Sequence, residues 1–323
     1  MALYLGHESA IRYWLAKSGS DALPEPVKSG CLDNAAASLA EARNAPLPLD
    51  VSASQPLHVL LPNKACCHTS ELVKPHIVSK KLPDGSFCRL TGGVYVASPE
   101  LTFILAAASR PLVEAVEIGC YLTGSFAISD RGMGYAGERD PLVSRADLER
   151  YLDAMPSMRG VAAARRCLGH VIEGTASPME VFLALMFRLP VRMGGWAMPP
   201  IEANRSIALD DRLKSIAGND SLRGDLMIPS VEGDVEYDSD EFHTGRYRND
   251  HTQARRNALE AMGIKTVSAT WGQVHDATRF DDFMWLVEKR FGLKHRTYSI
   301  TQKSRQHDLH DFLIDTRRSK FKA

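Results

Sequence analysis

The sequence has no apolar run approaching the ~18 residues that a membrane-spanning helix needs, so no span is expected. Its first residues, MALYLGHESA, lack a basic region followed by an apolar stretch and a cleavage site, so no secretory signal is expected. Neither sign of charge is in excess: 39 Lys and Arg face 39 Asp and Glu. Overall charge therefore argues for no polyanionic partner, and any such case must rest on local charge. The six cysteines, Cys31, Cys66, Cys67, Cys88, Cys120 and Cys167, form no C-x-x-C pair. Cys66-Cys67-His68 lacks the second ligand pair that a zinc site needs. Scattered thiols fit a reducing cytoplasm, which is the expected compartment. No internal repeat or low-complexity tract stands out, which excludes a solenoid.

What is present is the balance of a folded globular protein: 44% hydrophobic and 24% charged residues over 323 positions. That length accommodates two domains. The N-terminal part mixes both periodicities. Residues 3–17 place Ala10, Ile11, Trp14 and Leu15 at helical spacing. Residues 20–56 read as loop with a short alanine-rich helix near 34–43. Short β-like runs follow at 57–61, 74–79, 87–90 and 94–97, separated by Pro83-Asp84-Gly85 and Gly92-Gly93. Ser98 and Pro99 are a helix cap and first helical position, opening helices near 99–108 and 111–125. Residues 130–140 read as a glycine-rich loop. Ser144 caps a helix to about 155, and another near 157–171 carries Arg159, Arg165 and Arg166 on what reads as a solvated face.

The order LGHESAIRYW, a short β region, GVYVASPELTFILAAAS and LVEAVEIGCYLTG resembles the N-terminal half of bacterial proteins related to abortive-infection antitoxins of the AbiEi type. The likeness spans about residues 3–170. It implies a layout, a regulatory role and the habit of carrying a nuclease-like domain behind this half, but no site residue.

Residues 176–288 carry the chemistry. A helix opens at 176–180. A loop of about 30 residues follows, with Pro199-Pro200 and Gly218-Asn219-Asp220. Strands are expected at 222–228 and 235–238, a helix at 247–262 ended by Gly263, a strand at 264–270 and a helix at 280–291. Strand alternation points Glu236 and Asp238 to one face, and a hairpin of this length brings Asp225 beside Glu236. Carboxylates gathered at one sheet edge repel unless protons or a cation intervene. Mg²⁺ (or Mn²⁺) is the expected cation, held by Asp225 and Glu236, activating water and neutralising a phosphodiester.

This arrangement resembles the PD-(D/E)XK nuclease fold, nearest the branch of very-short-patch-repair endonucleases. That branch has Asp, a strand bearing Glu-x-Asp and a nearby His, here Asp225, Glu236, Asp238 and His243. The resemblance also implies a helix-borne glutamate at Glu180, and an arginine-bearing helix at Asp250-His251-Thr252-Gln253-Ala254-Arg255-Arg256. The strand GIKTVSATWGQV follows. It implies a mixed α/β fold with a restriction-endonuclease-like core sheet flanked by helices, behind an α+β N-terminal domain. Arg255, Arg256 and Lys265 become phosphate-contacting residues, and DNA the expected partner.

The lysine of the family name is absent, since Asp238 stands two after Glu236, and Lys265 is the expected replacement cation. Ser239 stands where a glycine is usual, and Asp240-Glu241 add acidity. Each residue also has a plainer reading. Ser177-x-x-Glu180 is a capping box. Asp225 reads as a solvated strand end, 232–241 as an exposed acidic hairpin, His243 as an ordinary hydrogen-bonding histidine, and Arg255 and Arg256 as the wet face of a helix. The expected domains are 1–155, 156–295 and a basic tail at 296–323, which either binds phosphates or solubilises the terminus. The expected function is a metal-dependent endonuclease acting on DNA. The alternatives are a catalytically inactive nucleic-acid-binding or regulatory protein of antitoxin type, with a regulatory partner protein, and a plain interaction module.

Overall fold

The computed structural model describes residues 2–319 apart from 29, 31, 33, 36, 67–69, 130–133 and 239–245; at 39, 41, 66, 238, 246–252 and 315–319 it describes the backbone only. The fold is mixed α/β, as the pattern of alternating helical and strand periodicity requires. The chain divides into two units between Val171 and Ile172. That division falls later than the expected 155/156, because the helix at Val161–Leu168 packs on helices of the first unit.

In unit 1, strand β1 (Leu3–Leu5) precedes helix α1 (His7–Ala16), so the expected single helix at 3–17 is a strand followed by a helix. Then come α2 (Leu39–Asn44), β2 (Leu57–Leu61), β3 (Val73–Ile77), β4 (Phe87–Arg89), β5 (Val94–Ala97), α3 (Pro99–Ser109), α4 (Leu112–Leu122), β6 (Phe126–Ile128), β7 (Tyr135–Glu138), α5 (Arg145–Ala154) and α6 (Val161–Leu168). The five-stranded sheet runs β3-β2-β1-β5-β4, with β1 parallel to β5 and β2 parallel to β3. Helix α3 is apolar on nearly every side and is buried accordingly, with Leu101, Phe103 and Ile104 fully enclosed. Ser98 accepts the Leu101 N–H and Pro99 begins the helix, as the sequence indicates. Tyr135–Glu138, within the stretch 130–140 expected as loop, is the strand β7, paired antiparallel with β6. Buried Arg139 ties it down, donating to the carbonyls of Trp14, Tyr121 and Phe126.

Unit 2 contains α7 (Pro178–Arg188), β8 (Glu202–Ala208), α8 (Asp211–Ala217), β9 (Ser221–Ile228), β10 (Gly233–Asp238), α9 (Arg246–Ala261), β11 (Lys265–Thr270), α10 (Trp271–His275), α11 (Ala277–Phe291) and α12 (Ile300–Ser319). Its sheet runs β11-β10-β9-β8. The first three strands in sequence are antiparallel neighbours, and β11 returns parallel to β10 through α9. Gly263, at φ +80°, makes the turn out of α9: its N–H meets the Glu260 carbonyl and that of Ile264 the Leu259 carbonyl. Leu209, Leu222 and Met227 pack with Ala258 and Leu259 in one cluster. Phe182 on α7 meets Phe280 on α11 edge-on, and Trp196 does the same.

Two expectations change here. The long loop expected after α7 contains β8 and α8. The expected basic tail is largely the helix α12, whose Gln306, Leu309, His310 and Leu313 are buried against unit 2, so it is part of that unit's core. His310 Nε2 is 2.8 Å from the Val274 carbonyl oxygen.

Candidate active site: an acidic sheet edge bridged by an arginine

Asp225 lies on β9, and Asp234 and Glu236 on the neighbouring β10. The two strands pair antiparallel from Gly233↔Ile228 to Val235↔Leu226, which brings Asp225 level with Glu236. One guanidinium joins them: Arg255 Nη2, from α9, is 2.8 Å from Glu236 Oε1 and 3.7 Å from Asp225 Oδ1. Asp225 Oδ2 also accepts the Tyr237 N–H at 3.2 Å, and Arg255 Nη2 donates to the Arg223 carbonyl. Asp225 and Glu236 thus meet at one place, as strand alternation and hairpin length require.

The charge there is crowded. Asp234 is fully buried, its Oδ1 accepts the Leu226 N–H at 3.3 Å, its Oδ2 meets no N–H donor among the described residues, and its side chain is within hydrogen-bonding reach of Glu236. Burial, with repulsion from Glu236 and Asp225, pushes its carboxyl up to about 8. Burial also raises Asp225 and Glu236, and Arg255 pulls both partly back. Sequence reasoning passed over Asp234 as part of an exposed acidic hairpin, although its place two residues before Glu236 on one strand is the signal that groups them.

Glu180 lies in the first turn of α7, behind Ser177. Ser177 Oγ accepts the Glu180 N–H at 3.2 Å and donates to Glu180 Oε1 at 3.0 Å. Glu180 Oε2 accepts from the Ala176 N–H at 2.8 Å and from Asn204 Nδ2 at 2.5 Å. Ser177 is therefore the helix cap by contact, and Glu180 closes back on the Ala176 N–H, not on the Ser177 N–H that the expected capping box requires. Burial, and less strongly the charge of Asp225, raise Glu180 to about 7, so it also belongs electrically to the acidic edge. Asn204, in the left-handed region at φ +49° and bonded to both Gly174 O and Glu180, is a positioning residue that the sequence did not disclose.

The remaining expected residues divide. Arg256 Nη2 donates to Ser268 Oγ at 2.6 Å, and Ser268 is the register partner of Glu236 on β11. With Gln253, Thr266 and Arg290 it lines a recess of about 370 Å³. Lys265 pairs with Gly233, three positions along β11 from Ser268, about 10 Å away at strand spacing. It is exposed and does not reach the acid pair; Arg255 supplies the cation expected of it. Asp238 ends β10 opposite Thr270, and its side chain, like the whole of His243, lies outside the described residues.

A divalent cation needs several oxygens converging on one point. Among the described residues, no three His, Cys, Asp or Glu side chains do so. The donor chemistry is right for Mg²⁺, but a guanidinium already lies against Glu236, and Glu180 directs both oxygens into its own cap. As they stand, the described residues do not fit a metal centre, and no step is derived through one. Compared with protein-family models, curated proteins and solved structures, the chain matches none. Among the described residues no helix is long and apolar enough to cross a membrane.

Proposed function

We propose that unit 2 is a PD-(D/E)XK-type domain that hydrolyses phosphodiester bonds in DNA at the Asp225–Glu236 edge, with Arg255 as the cation of the site. One observation carries the reading: the single Arg255 guanidinium bridges two carboxylates from adjacent strands. The order α7, then the antiparallel pair β9 and β10, α9 and the parallel strand β11 supports it, being the layout that the resemblance leads one to expect, with β8 and α8 additional to it.

The chemistry these residues supply is acid–base and electrostatic. A carboxylate whose proton affinity is raised toward neutrality is suited to taking a proton from water near pH 7, and Glu236 and Asp225 are both shifted that way. A guanidinium offers paired N–H groups that match phosphate oxygens as well as carboxylates. Arg255 is placed to exchange one anion for the other. Arg256 and Arg290, at the neighbouring recess, are placed to hold an adjoining phosphate.

Incubating the full chain with supercoiled plasmid in Mg²⁺, in Mn²⁺ and in EDTA tests the proposal. Nicking is expected, slowed about 100-fold or more in Asp225→Asn and Glu236→Gln, with near-UV dichroism unchanged. No cleavage of double- or single-stranded DNA in any of the three conditions overturns hydrolysis.

A second reading has its own support: Arg255 already neutralises the acid pair, and Glu180 is engaged by its cap. On that reading the domain is a catalytically silent, nucleic-acid-binding scaffold of antitoxin type, serving a regulatory partner protein. It requires salt-sensitive DNA retention that survives Asp225→Asn and weakens in Arg256→Ala.

A further inference from the structure

Unit 1 contains a cavity of about 600 Å³ whose wall is made by His7, the β3 segment and the chain just after it, the end of α3, and the turn between α5 and α6. That volume lies within the range of small-molecule sites. An unusual structure stands at its side. The His7 ring stacks on His76 with centroids 3.9 Å apart, His76 stacks on His58 at 5.0 Å, and His76 Nε2 is 3.0 Å from His58 Nδ1. His7 holds φ at +45°, a left-handed conformation that a residue with a Cβ adopts only when its surroundings enforce it. Its Nδ1 is 3.4 Å from Ser109 Oγ at the end of α3.

Three imidazoles this close cannot all be charged. Burial and their mutual repulsion bring His7 down to about 3 and His58 to about 4, and burial lowers His76 as well. Near neutral pH they are hydrogen-bonding groups and flat ring surfaces. They do not form a metal centre: His58 and His76 turn ring nitrogens toward each other, and among the described residues no three such donors converge. The charge of the wall comes from elsewhere. Arg159, exposed, forms no ion pair among the described residues, and Lys80 Nζ donates to Ser157 Oγ at 2.9 Å. Among the described residues no carboxylate lines the cavity, whereas Ile77, Leu105, Ala108 and Met158 give it an apolar side. Two cations with no acid beside them among the described residues select an anion, and two positive charges match a dianion better than a monoanion.

We propose that this cavity binds a small organic phosphate, with Arg159 and Lys80 on the phosphate, Ser157 as a further donor, and Leu105, Met158 and the His7–His76 stack against a flat or apolar organic group. The site is independent of the acidic edge of unit 2 and stands whether or not that edge cuts DNA.

Calorimetric titration of the full chain with phenyl phosphate, inorganic phosphate and benzoate tests it. Phenyl phosphate is expected to saturate at one per chain, with the other two probes weaker. Arg159→Ala and Lys80→Ala should each weaken phenyl phosphate about tenfold or more, the loss of one charge-assisted bond. Both side chains are exposed, so neither substitution should lower the melting temperature, and Glu236→Gln should leave binding unchanged. No saturable binding of phenyl phosphate, or affinity unmoved in both basic variants, overturns the site. Benzoate binding as tightly as phenyl phosphate overturns the phosphate class. Inorganic phosphate binding equally well overturns the role given to the apolar wall.

Discussion

Asp234 is the acid of the cluster with the least to hold its charge: fully buried, one oxygen without an N–H donor among the described residues, two carboxylates repelling it. The consequence for stability has a definite sign. Below about pH 4 the carboxyl is protonated in both folded and unfolded chains, and its burial carries no charge penalty. As pH rises, the unfolded chain releases the proton while the folded one keeps it to about 8, so stability falls across that window. Asp234→Asn has no proton to lose. Relative to the native chain it should gain at least the ~1.4 kcal/mol of one pKa unit between pH 5 and pH 8.5. Urea unfolding at the two pH values measures this, and a gap that stays constant or reverses rejects it. The same residue marks how far reading residues reaches. Asp225 and Glu236 were legible because alternation fixes which face a strand residue takes. Asp234 was not, since an acidic run reads as solvated until the strand's partners are known. Arg255 stands where Lys265 was expected for a related reason: the register of β11 against β10 depends on how α9 returns the chain, and no local pattern encodes it.

Elements with a buried apolar run were legible, and those whose composition is mostly polar were not. Strands β2 and β5 lie where their apolar runs indicate, and Ser98 and Ser144 cap the helices expected of them. Strand β8 escaped because it forms the sheet edge; its Glu202, Arg205 and Ser206 are exposed, and edge strands are polar where inner ones alternate. Helix α12 escaped for the opposite reason. Its charged residues dominate the composition, while the few apolar ones, Leu309 and Leu313 at i and i+4, face the core with Gln306 and His310. Gly194, at φ +91°, lies so close that a Cβ there would collide with the Arg305 carbonyl. A solvated tail tolerates truncation; a docked helix does not. Leu313→Ala should therefore cost about 2–5 kcal/mol of stability, the range for emptying a fully buried leucine site. Denaturant titration checks it. A loss below ~0.5 kcal/mol, the scale of a surface substitution, returns α12 to the status of a tail.

At the scale of the whole chain, equal numbers of acidic and basic residues conceal two units with opposite responses to pH. In unit 1 the shifted groups that titrate between pH 5 and 8 are bases held neutral: His7, His58 and His76 all lie below their ordinary value of 6.5. Unfolding lets them take up protons below that value, so acidification from pH 7 to 5 favours the unfolded chain and weakens unit 1. In unit 2 the shifted groups are acids held protonated: Glu180 at about 7 and Asp234 at about 8, with Asp225 and Glu236 raised as well. Unfolding lets these release protons, so acidification over the same range strengthens unit 2. Amide-exchange protection in moderate urea, corrected for intrinsic rates and read on peptides from each unit, should therefore shift in opposite directions between pH 5 and pH 7.5. Replacing His58 and His76 by asparagine should flatten the unit 1 response, and Asp234→Asn should reduce that of unit 2. The two responses arise from different chemistry, one from rings stacked on one another and the other from carboxylates sharing a guanidinium. If both units move the same way with pH, the buried histidine stack and the buried acid cluster cannot both hold their protons as described.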